Sequence, residues 1–500
     1  MIRRRQLIGS LPAAAALLAT LPAGAATPDD LSAPPPAGPP RAVTVPPLHE
    51  SRLDNGVNVV VAPRRGLPLV SAWLLVRVGA ETDPLDRAGR ADMLAALLTQ
   101  GARRDGRAVS APELARQAEA LGGSLSASSG WRATSLGMTV TTPRLDAALS
   151  LMSDVLRQPT LAADELDRLR VQAVDALKVS NSDPGSIASR VARRLYWGGS
   201  AYGGVSTEQT LQRLRRDDLQ ALHAQGFRPE DTLLVLAGDL TPERGLALAQ
   251  QHLGSWRPSR IAPLARRDGR PAPLAPRTVL VNLPGVGQSS VTVLAPFTSL
   301  APDDVAELRI GQVANAVLGG GYSARLNQEV RIKRGLSYGV GTSAEQHAEG
   351  GLWEASAQTD HRNAAQVAEL LRAQVLGLAT TPPTADELAA RQATLVGGFA
   401  RRLDTNAGIA SLITARWASG RPLSELDRFV QEVLAVTPGQ VQEFARRRWP
   451  ASDLRTVVVG DFSAAPEVFD ALAAADASTL RLQAGELDFG GPGLQQAAAR

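Results

Sequence analysis

The sequence contains the same pattern of elements twice. In each half, two short apolar runs precede an amphipathic helix, another strand and two long helices, and a closing strand ends in Gly-Asp. Val57 and Thr278, which begin the first runs, are 221 residues apart, and Gly238 and Gly460, in the closing runs, are 222 apart. A constant offset over this length indicates a duplication, and its period is too long for a solenoid. The 500-residue chain is therefore predicted to form two homologous domains.

Apolar and β-branched runs between turn signals predict the strands, and apolar spacing of three and four residues predicts the helices. The predicted strands are Val57–Ala62, Val70–Val78, Leu136–Thr141, Thr232–Asp239, Thr278–Asn282, Ser289–Leu294, Leu352–Gln358 and Arg455–Asp461. The predicted helices are Arg87–Leu98, Arg144–Leu156, Ala163–Val179, Asp304–Leu318, Asn363–Leu378 and Ala385–Arg402. Mixed helices and strands, with a hairpin opening each half, predict an α+β fold: each domain is a mainly antiparallel sheet packed with helices.

The segments outside these elements give the predicted domain bounds. Residues 1–25 are typical of a signal peptide, because Arg3–Arg5 precede an apolar run and Ala23-Gly24-Ala25 fits a cleavage site. The run R-R-Q-L-I is similar to a twin-arginine signal, although Sec export is equally compatible. The further bounds are a disordered lead-in at 26–47, an N-terminal domain at 48–256, a linker at 257–277 with five prolines and six arginines, a C-terminal domain at 278–480 and a tail at 481–500.

Composition excludes several classes of function. The chain has no cysteine, which excludes disulfides, thiol catalysis, thiolate metal sites and a lipid-anchoring cysteine. The net charge of +4 includes Arg3–Arg5, so removing the signal leaves 4 − 3 = +1. A nearly neutral protein with few aromatic residues gives no indication of nucleic-acid binding. The signal predicts a periplasmic protein without stable membrane insertion after cleavage, with secretion as the alternative.

One stretch in the second half has an unusual combination of residues. Leu318–Tyr338 reads L-G-G-G-Y-S-A-R-L-N-Q-E-V-R-I-K-R-G-L-S-Y. Three glycines end an amphipathic helix, Ser323 is predicted to cap a short second helix, and a strand is predicted to carry Tyr338. Such a turn can aim the guanidinium of Arg331 and the phenol of Tyr338 at one point. The alternative is purely structural: Arg331 complements the helix dipole, and Tyr338 is a packing residue.

This stretch resembles the C-terminal half of the pitrilysin and mitochondrial-processing-peptidase family, the inverted zincins. In that family, a Gly-rich segment followed by R-x-x-K-R-G-L-x-Y is a recurrent signature. The resemblance covers residues 47–475 and implies two similar domains that form a clam-like half chamber. It also implies that Arg331 and Tyr338 donate hydrogen bonds to the scissile carbonyl of a peptide bound at zinc, and that Gly319, Gly320 and Gly321 contact substrate.

The same resemblance identifies where a zinc motif is missing. Catalytic members carry G-x-A-H-x-x-E-H, in which both histidines bind zinc and the glutamate activates the bound water. The matching stretch here begins at Gly89 and places Asp92 at the first histidine, Ala95 at the glutamate and Ala96 at the second histidine. Counting back from Asp183-Pro184 places Ala176 at the position of the third ligand. The chain is therefore predicted to bind no metal.

Other catalytic sites are poorly supported by the sequence. None of the five histidines lies three or four residues from another, whereas a zinc site needs three protein ligands. Gly319–Gly321 lacks the Lys-Ser/Thr of a phosphate-binding loop, and the serine-rich run Ser126–Gly130 matches no nucleophile elbow. A self-contained hydrolase with an unrecognised site is the least favoured alternative.

The resulting hypothesis is a non-catalytic subunit of a heteromeric zinc metallopeptidase that degrades or processes peptides. The chain would have no activity and no cofactor of its own. Its partner would be a homologous subunit that keeps H-x-x-E-H and holds the zinc, and Arg331 and Tyr338 would stabilise the oxyanion in a shared site. The alternative from another class is a catalytically dead peptide-binding or scaffolding protein of the cell envelope.

Overall fold

The computed structural model describes residues 42–257, 260–300 and 305–495. The predicted signal peptide, residues 26–41 of the predicted lead-in and the last five residues of the tail lie outside the described residues. From Thr44 onward the chain forms one compact unit. Within the described ranges, no helix is long and apolar enough to cross a membrane.

The strands, numbered in chain order, are β1 (His49–Arg52), β2 (Asn58–Pro63), β3 (Leu69–Val76), β4 (Gly101–Arg104), β5 (Arg107–Ser110), β6 (Ser126–Ser129), β7 (Thr134–Thr141), β8 (Thr232–Gly238), β9 (Thr278–Asn282), β10 (Ser289–Phe297), β11 (Val340–Gln346), β12 (Gly351–Thr359), β13 (Arg455–Gly460) and β14 (Leu480–Gln483). The helices are α1 (Arg90–Leu98), α2 (Ala111–Ala120), α3 (Leu145–Arg157), α4 (Ala163–Ser180), α5 (Pro184–Trp197), α6 (Glu208–Arg213), α7 (Arg216–Gly226), α8 (Pro242–Leu253), α9 (Val305–Gly319), α10 (Arg325–Asn327), α11 (Ala364–Thr380), α12 (Ala385–Leu403), α13 (Asn406–Ala418), α14 (Glu425–Leu434), α15 (Pro438–Arg448) and α16 (Pro466–Ala474).

Two mixed but mainly antiparallel sheets carry the fold. Within the described residues, their strand orders are β1-β2-β8-β3-β7-β6 and β11-β12-β10-β13-β9-β14, and β4 and β5 form a separate hairpin. The central strand β8 pairs in parallel with β2 and antiparallel with β3, and β13 pairs in the same way with β9 and β10. Helices pack against both sheets. The predicted α+β class with two similar sheet-and-helix halves is confirmed.

The predicted hairpins at the start of each half are wrong. In each sheet, the closing strand of the half lies between the two opening strands and separates them. The reason is visible in β8, which is buried at every position of its sequence T-L-L-V-L-A-G. A strand without a polar face is stable only where both of its faces are covered, which favours the centre of a sheet over its edge.

The two halves exchange a helix. Helix α5 comes from the first half but packs against β10 and β13 of the second sheet, whereas α13 from the second half packs against β3 and β8 of the first. The two helices begin at Pro184 and Asn406, and 406 − 184 = 222 residues is the offset of the duplication. The exchange is therefore part of the repeated pattern. Neither helix was predicted from the sequence.

Local sequence starts the α5 helix and gives it an apolar face. The side chain of Asp183 accepts a hydrogen bond of 2.8 Å from the backbone N–H of Ser186, and Pro184 occupies the first turn, where its missing N–H costs nothing. The buried residues then recur at helical spacing: Ile187, Ala188, Val191, Ala192 and Leu195. They share one apolar cluster with residues of β9, β10, β13 and β14, so burial of this face depends on the second half.

The segment predicted as a linker is docked on the fold over part of its length. The described residues of 257–277 contain no helix or strand. Arg267 Nη1 donates a 2.5 Å hydrogen bond to the carbonyl oxygen of Asp83, and the backbone N–H of Leu274 donates one of 2.9 Å to Leu195. By contrast, Arg257 and Arg260 are exposed. The division of the chain into two domains at this segment stays a prediction.

The C-terminal segment contributes to the second half. Strand β14 crosses the predicted boundary at residue 480 and pairs in parallel with β9. Phe489 and Leu494 are buried in the cluster that contains α5. The buried guanidinium of Arg194 donates hydrogen bonds of 2.8 Å and 3.3 Å to the carbonyl oxygens of Phe489 and Gly493. Burial lowers the pKa of Arg194 to about 10, so the side chain stays charged at neutral pH.

Limited trypsin digestion is expected to cut first after Arg260, because exposed segments without regular structure are preferred cleavage sites, whereas trypsin does not cleave the bond between Arg257 and Pro258. The two fragments should co-elute in gel filtration, since each sheet holds a helix from the other fragment. Fragments that separate without denaturant would contradict the helix exchange, and early cuts inside β8 or β13 would contradict the division into two halves.

Leu195→Ala should destabilise the protein by about 2–5 kcal/mol, because it removes a fully buried side chain from α5. Hydrogen exchange should speed up in β13 of the second half more than in β2 of the first, since α5 packs on β13. Leu434→Ala is the matched control, because that leucine is exposed and its loss should leave the melting temperature nearly unchanged. Faster exchange confined to the first half would refute the assignment of α5 to the second sheet.

Candidate functional site

The three glycines at the end of α9, Gly319–Gly321, are required by close packing and backbone conformation. A Cβ at Gly319 would lie 2.1 Å from the side-chain oxygen of Thr342 on β11, so the helix end can approach this strand only without a side chain. Gly321 has a φ of +133°, which side chains disfavour. Arg391 of α12 donates a hydrogen bond of 3.2 Å to the carbonyl oxygen of Gly320. These contacts position the segment, and substrate contact by Gly319, Gly320 and Gly321 stays a prediction.

The turn that follows differs from the prediction in two details. Ser323 does not cap α10; its hydroxyl accepts a 2.5 Å hydrogen bond from Arg391, and the residue that precedes α10 is Ala324. Tyr338 does not lie in a strand, because β11 begins only at Val340. The glycine at 339 and the side chain of Asn327, which accepts a 3.0 Å hydrogen bond from the N–H of Val340, delay the start of the strand. Tyr338 therefore lies in a loop.

Arg331 lies in a π-helical turn, Gln328–Ile332, directly after α10. The backbone N–H of Lys333 donates to the carbonyl oxygen of Gln328, five residues earlier, at 3.0 Å. Such turns widen a helix locally and are frequent at functional sites. The widening changes the direction in which Arg331 projects, which spacing in the sequence could not predict.

The guanidinium of Arg331 lies between two tyrosine rings. Its central carbon is 4.5 Å from the ring centre of Tyr338 and 4.8 Å from that of Tyr322. Each contact is worth about 0.5–1 kcal/mol at an exposed site. The side chains of Tyr338 and Tyr322 are 89% and 61% exposed, which is unusual for large aromatic residues. The structure thus brings together the predicted Arg331 and Tyr338 and adds Tyr322, which the sequence prediction missed.

The contacts with the two rings leave the N–H groups of Arg331 without a hydrogen-bond partner among the described residues. Tyrosine rings cover the faces of a planar guanidinium, whereas its N–H groups point outward in the plane. Among the described residues, no side chain forms a hydrogen bond or ion pair with Arg331, whereas the neighbouring Lys333 and Arg334 both pair with Glu329. Arg331 therefore contacts two aromatic rings and keeps its donors for another group, such as a carbonyl or carboxylate oxygen.

Tyr338 also lines a polar cleft between the two halves of the chain. The cleft has a volume of about 590 Å³ and lies between α5 on one side and β10, β11 and β12 on the other. Its walls are formed largely by short polar side chains, including Ser189, Ser290, Thr292 and Ser356. A volume of this size accommodates a few residues of an extended peptide.

The positions that match the zinc motif lack a ligand set. Asp92 on α1 faces a smaller cleft of about 250 Å³, and the surrounding protein raises the pKa of its carboxyl by desolvation. Ala95 is buried on the same helix, and Ala96 and Ala176 have only methyl groups, which cannot bind a metal. No group of three or more His, Cys, Asp or Glu side chains that could hold a metal occurs within the described residues. The residues present do not fit a zinc ion.

A second carboxyl near Asp92 has a structural role. The side chain of Asp83 accepts hydrogen bonds from Arg90 Nε at 3.3 Å and from the backbone N–H of Ala91 at 3.1 Å. Burial raises the pKa of Asp83 to about 6, although both of these partners oppose the shift. Asp83 thus fixes the start of α1, and its oxygen atoms are engaged with the protein.

Family models match both halves of the chain. The model described as insulinase (peptidase family M16) matches residues 59–197, and the model described as peptidase M16 inactive domain matches residues 213–395. An uncharacterized zinc protease of Streptomyces coelicolor is 25% identical over 80% of this chain and 86% of its own length. A non-peptidase homolog of Helicobacter pylori is 21% identical over 83% of this chain and 94% of its own length.

Solved structures share the fold. The peptidase M16 inactive domain from Pseudomonas fluorescens superposes with a TM-score of 0.74 at 24% identity, covering 83% of this chain and 98% of the other. A protease from Helicobacter pylori gives a TM-score of 0.77 at 17% identity, covering 83% and 100%. With the matched models in both halves, this likeness confirms the predicted family. The chain belongs to the M16 peptidase family, as an inactive-type member whose zinc-motif positions hold Asp92, Ala95 and Ala96.

Proposed function

We infer that this chain is the zinc-less subunit of a heteromeric M16 metallopeptidase that degrades or processes peptides. One observation carries the proposal: the guanidinium of Arg331 contacts two exposed tyrosines, one of which lines a peptide-sized cleft, in a chain whose zinc-motif positions hold no ligand set. A purely structural arginine would pair with a carboxylate, as Arg334 does with Glu329. The free donors of Arg331 instead fit a role toward a bound peptide.

In the shared site, this chain would supply hydrogen-bond donors. The N–H edge of Arg331 and the hydroxyl of Tyr338 would donate to the scissile carbonyl oxygen as negative charge develops on it. Donors fixed in advance are effective because they need not reorganise during the reaction, and losing one costs about 100- to 1,000-fold in rate. Tyr322 would hold the second face of the guanidinium. Zinc held by the homologous partner would supply the activated water.

Location and partner belong to the same proposal. The N-terminal export pattern supports a periplasmic complex, and the missing zinc ligands support a partner that keeps H-x-x-E-H. The other candidate is a peptide-binding or scaffolding protein of the envelope, which the polar cleft favours because a cleft alone suffices for binding. The two candidates differ in one outcome: only the subunit has turnover that depends on Arg331 and Tyr338.

The purified chain is expected to bind no zinc in stoichiometric amount and to cleave no peptide, because alanines occupy the matched ligand positions. Metal analysis after dialysis against zinc measures the first property, and a fluorogenic peptide library measures the second. A relative that carries H-x-x-E-H, treated in the same way, is the positive control. One tightly held zinc ion per chain would refute the proposal.

Tyr338→Phe in the complex with the zinc-bearing partner should lower kcat and kcat/KM together by about 100-fold or more, as expected for a contact made in the transition state. The substitution keeps the ring that stacks on Arg331, so packing is preserved. Arg331→Ala should have an effect at least as large on turnover, with assembly unchanged by size measurement.

Two matched controls separate this role from a structural one. Tyr322→Phe also removes a hydroxyl and keeps a stacked ring, but turnover should stay near wild type. Arg334→Ala removes a nearby arginine that pairs with Glu329 and should likewise leave turnover unchanged. Wild-type turnover in both Tyr338→Phe and Arg331→Ala would exclude the subunit role and favour the binding protein.

A further inference from the structure

The sheet side of the polar cleft is a regular grid of short polar side chains. On β12, the sequence Trp353–Gln358 alternates, so that Glu354, Ser356 and Gln358 lie on one face. The strand register places Ser343 of β11 opposite Glu354 and Thr292 of β10 opposite Ser356. The cleft wall thus carries several hydroxyl groups and one acidic side chain.

The opposite wall comes from α5. Gly185, Ser189 and Arg193 are four residues apart and therefore lie on one face of this helix. Gly185 and Ser189 line the cleft. The guanidinium of Arg193 bonds both carboxylate oxygens of Glu345 on β11, at 3.3 Å and 3.0 Å. The charge of Arg193 is therefore engaged with Glu345.

Glu354 lines the same cleft and lacks an equivalent partner. Its Oε1 atom is buried and has no hydrogen-bond partner within the described part of the chain. Its Oε2 atom accepts only a long hydrogen bond of 3.4 Å from the hydroxyl of Ser343. Buried polar atoms are nearly always satisfied, so a carboxylate oxygen at a cleft without a partner from the protein can accept hydrogen bonds from a bound group.

The surrounding charges and burial shift the pKa values of Glu354 and Glu345 in opposite directions. Burial raises the pKa of Glu354 to about 7; the nearby charge of Glu345 adds to the shift, and Arg193 opposes it. Burial also acts on Glu345, but His347 and Arg193 outweigh it and hold the pKa of that carboxyl at about 2. From β10, the residue paired with Glu354 is Leu294, which carries no charge. Glu354 is thus the carboxyl that gains most from an added cation.

The surroundings favour an organic cation over a metal ion. The cleft lining has one carboxylate and no imidazole, and no group of three metal-binding side chains occurs within the described residues. A guanidinium or ammonium group instead pairs with a single carboxylate and donates its other N–H groups to hydroxyl or amide oxygens. The side chains of Ser343, Ser356 and Gln358 in the cleft wall offer such oxygens.

We propose that Glu354 anchors a specificity pocket for the cationic side chain of an arginine or lysine in an extended peptide. The choice of a peptide as ligand rests on the proposed function, but the pocket lies within this chain and needs no partner. Binding by the isolated chain tests the pocket, and turnover by the complex tests the proposed function. Either proposal can therefore be refuted while the other stands.

The test uses calorimetry with the chain alone and a pentapeptide of alanines with a central arginine, acetylated and amidated so that its termini carry no charge. Replacing the arginine by citrulline, its neutral analogue, should weaken binding about tenfold to a hundredfold, as should Glu354→Gln with the arginine peptide. The citrulline peptide should bind the wild type and Glu354→Gln equally. Asp360→Asn is the matched control. It removes an exposed carboxylate that follows the same strand and pairs with Arg362, and it should leave affinity unchanged.

The pH dependence adds a second readout. Arginine stays charged, so its binding should strengthen from pH 6 to pH 8 as Glu354 ionises, and Glu354→Gln should remove this dependence. Melting temperature confirms that the variant is folded. Equal affinity of wild type and Glu354→Gln for the arginine peptide would overturn the proposal, as would no binding at millimolar peptide. Equal binding of an all-alanine peptide with a free amino terminus would assign the pocket to a chain terminus instead and also overturn it.

Discussion

The structure depends on one packing constraint: each sheet is covered by a helix that belongs to the other half of the chain. Helix α5 buries its apolar stripe against β10 and β13, and α13 buries its own against β3 and β8. A 14-residue helix with five buried apolar residues on one face has little stability in water by itself. The two halves are therefore coupled through their hydrophobic cores, even though a duplication produced two similar units.

The same exchange creates the cleft that carries the candidate site. Because α5 crosses to the second sheet, residues of the first half face β10, β11 and β12, and Gly185 and Ser189 leave space there where larger side chains would fill it. Tyr338 lines this space, and the rings of Tyr338 and Tyr322 both contact the guanidinium of Arg331. The proposed peptide contacts Arg331 and Tyr338 therefore lie in the second half, whereas the positions that match the zinc motif, Asp92, Ala95 and Ala96, lie in the first.

The duplication made most of the fold predictable. Its offset aligned strands and helices of the two halves, and long periodic segments such as α4 and α12 were predicted to within a few residues. The opening hairpins were wrong because strand order depends on which strand has no polar face, and β8 has none. The helix exchange could not be predicted, since apolar spacing shows that a helix buries a face but does not show against which sheet.

Prediction of the site was partial for similar reasons. The family resemblance pointed to Arg331 and Tyr338, but the π-helical turn and the contribution of Tyr322 depend on backbone geometry. A signal for Tyr322 was present, because it follows the three glycines directly. The sequence also contained a signal for Glu354. This residue is the charged side chain of β12 and lies on the same face of the strand as Ser356 and Gln358. Its lack of a partner appears only when α5 and β11 are in place, because Arg193 then pairs with Glu345.

The central claim is that this M16 chain works without zinc of its own beside a partner that has it. The most direct measurement is purification of the tagged full-length chain from its native host, followed by mass determination and zinc analysis of the same sample. The account predicts a complex with a homologous chain that carries H-x-x-E-H, with one zinc ion for each pair of chains. Recovery of this chain without such a partner, or a zinc content of one ion for every chain, would contradict it.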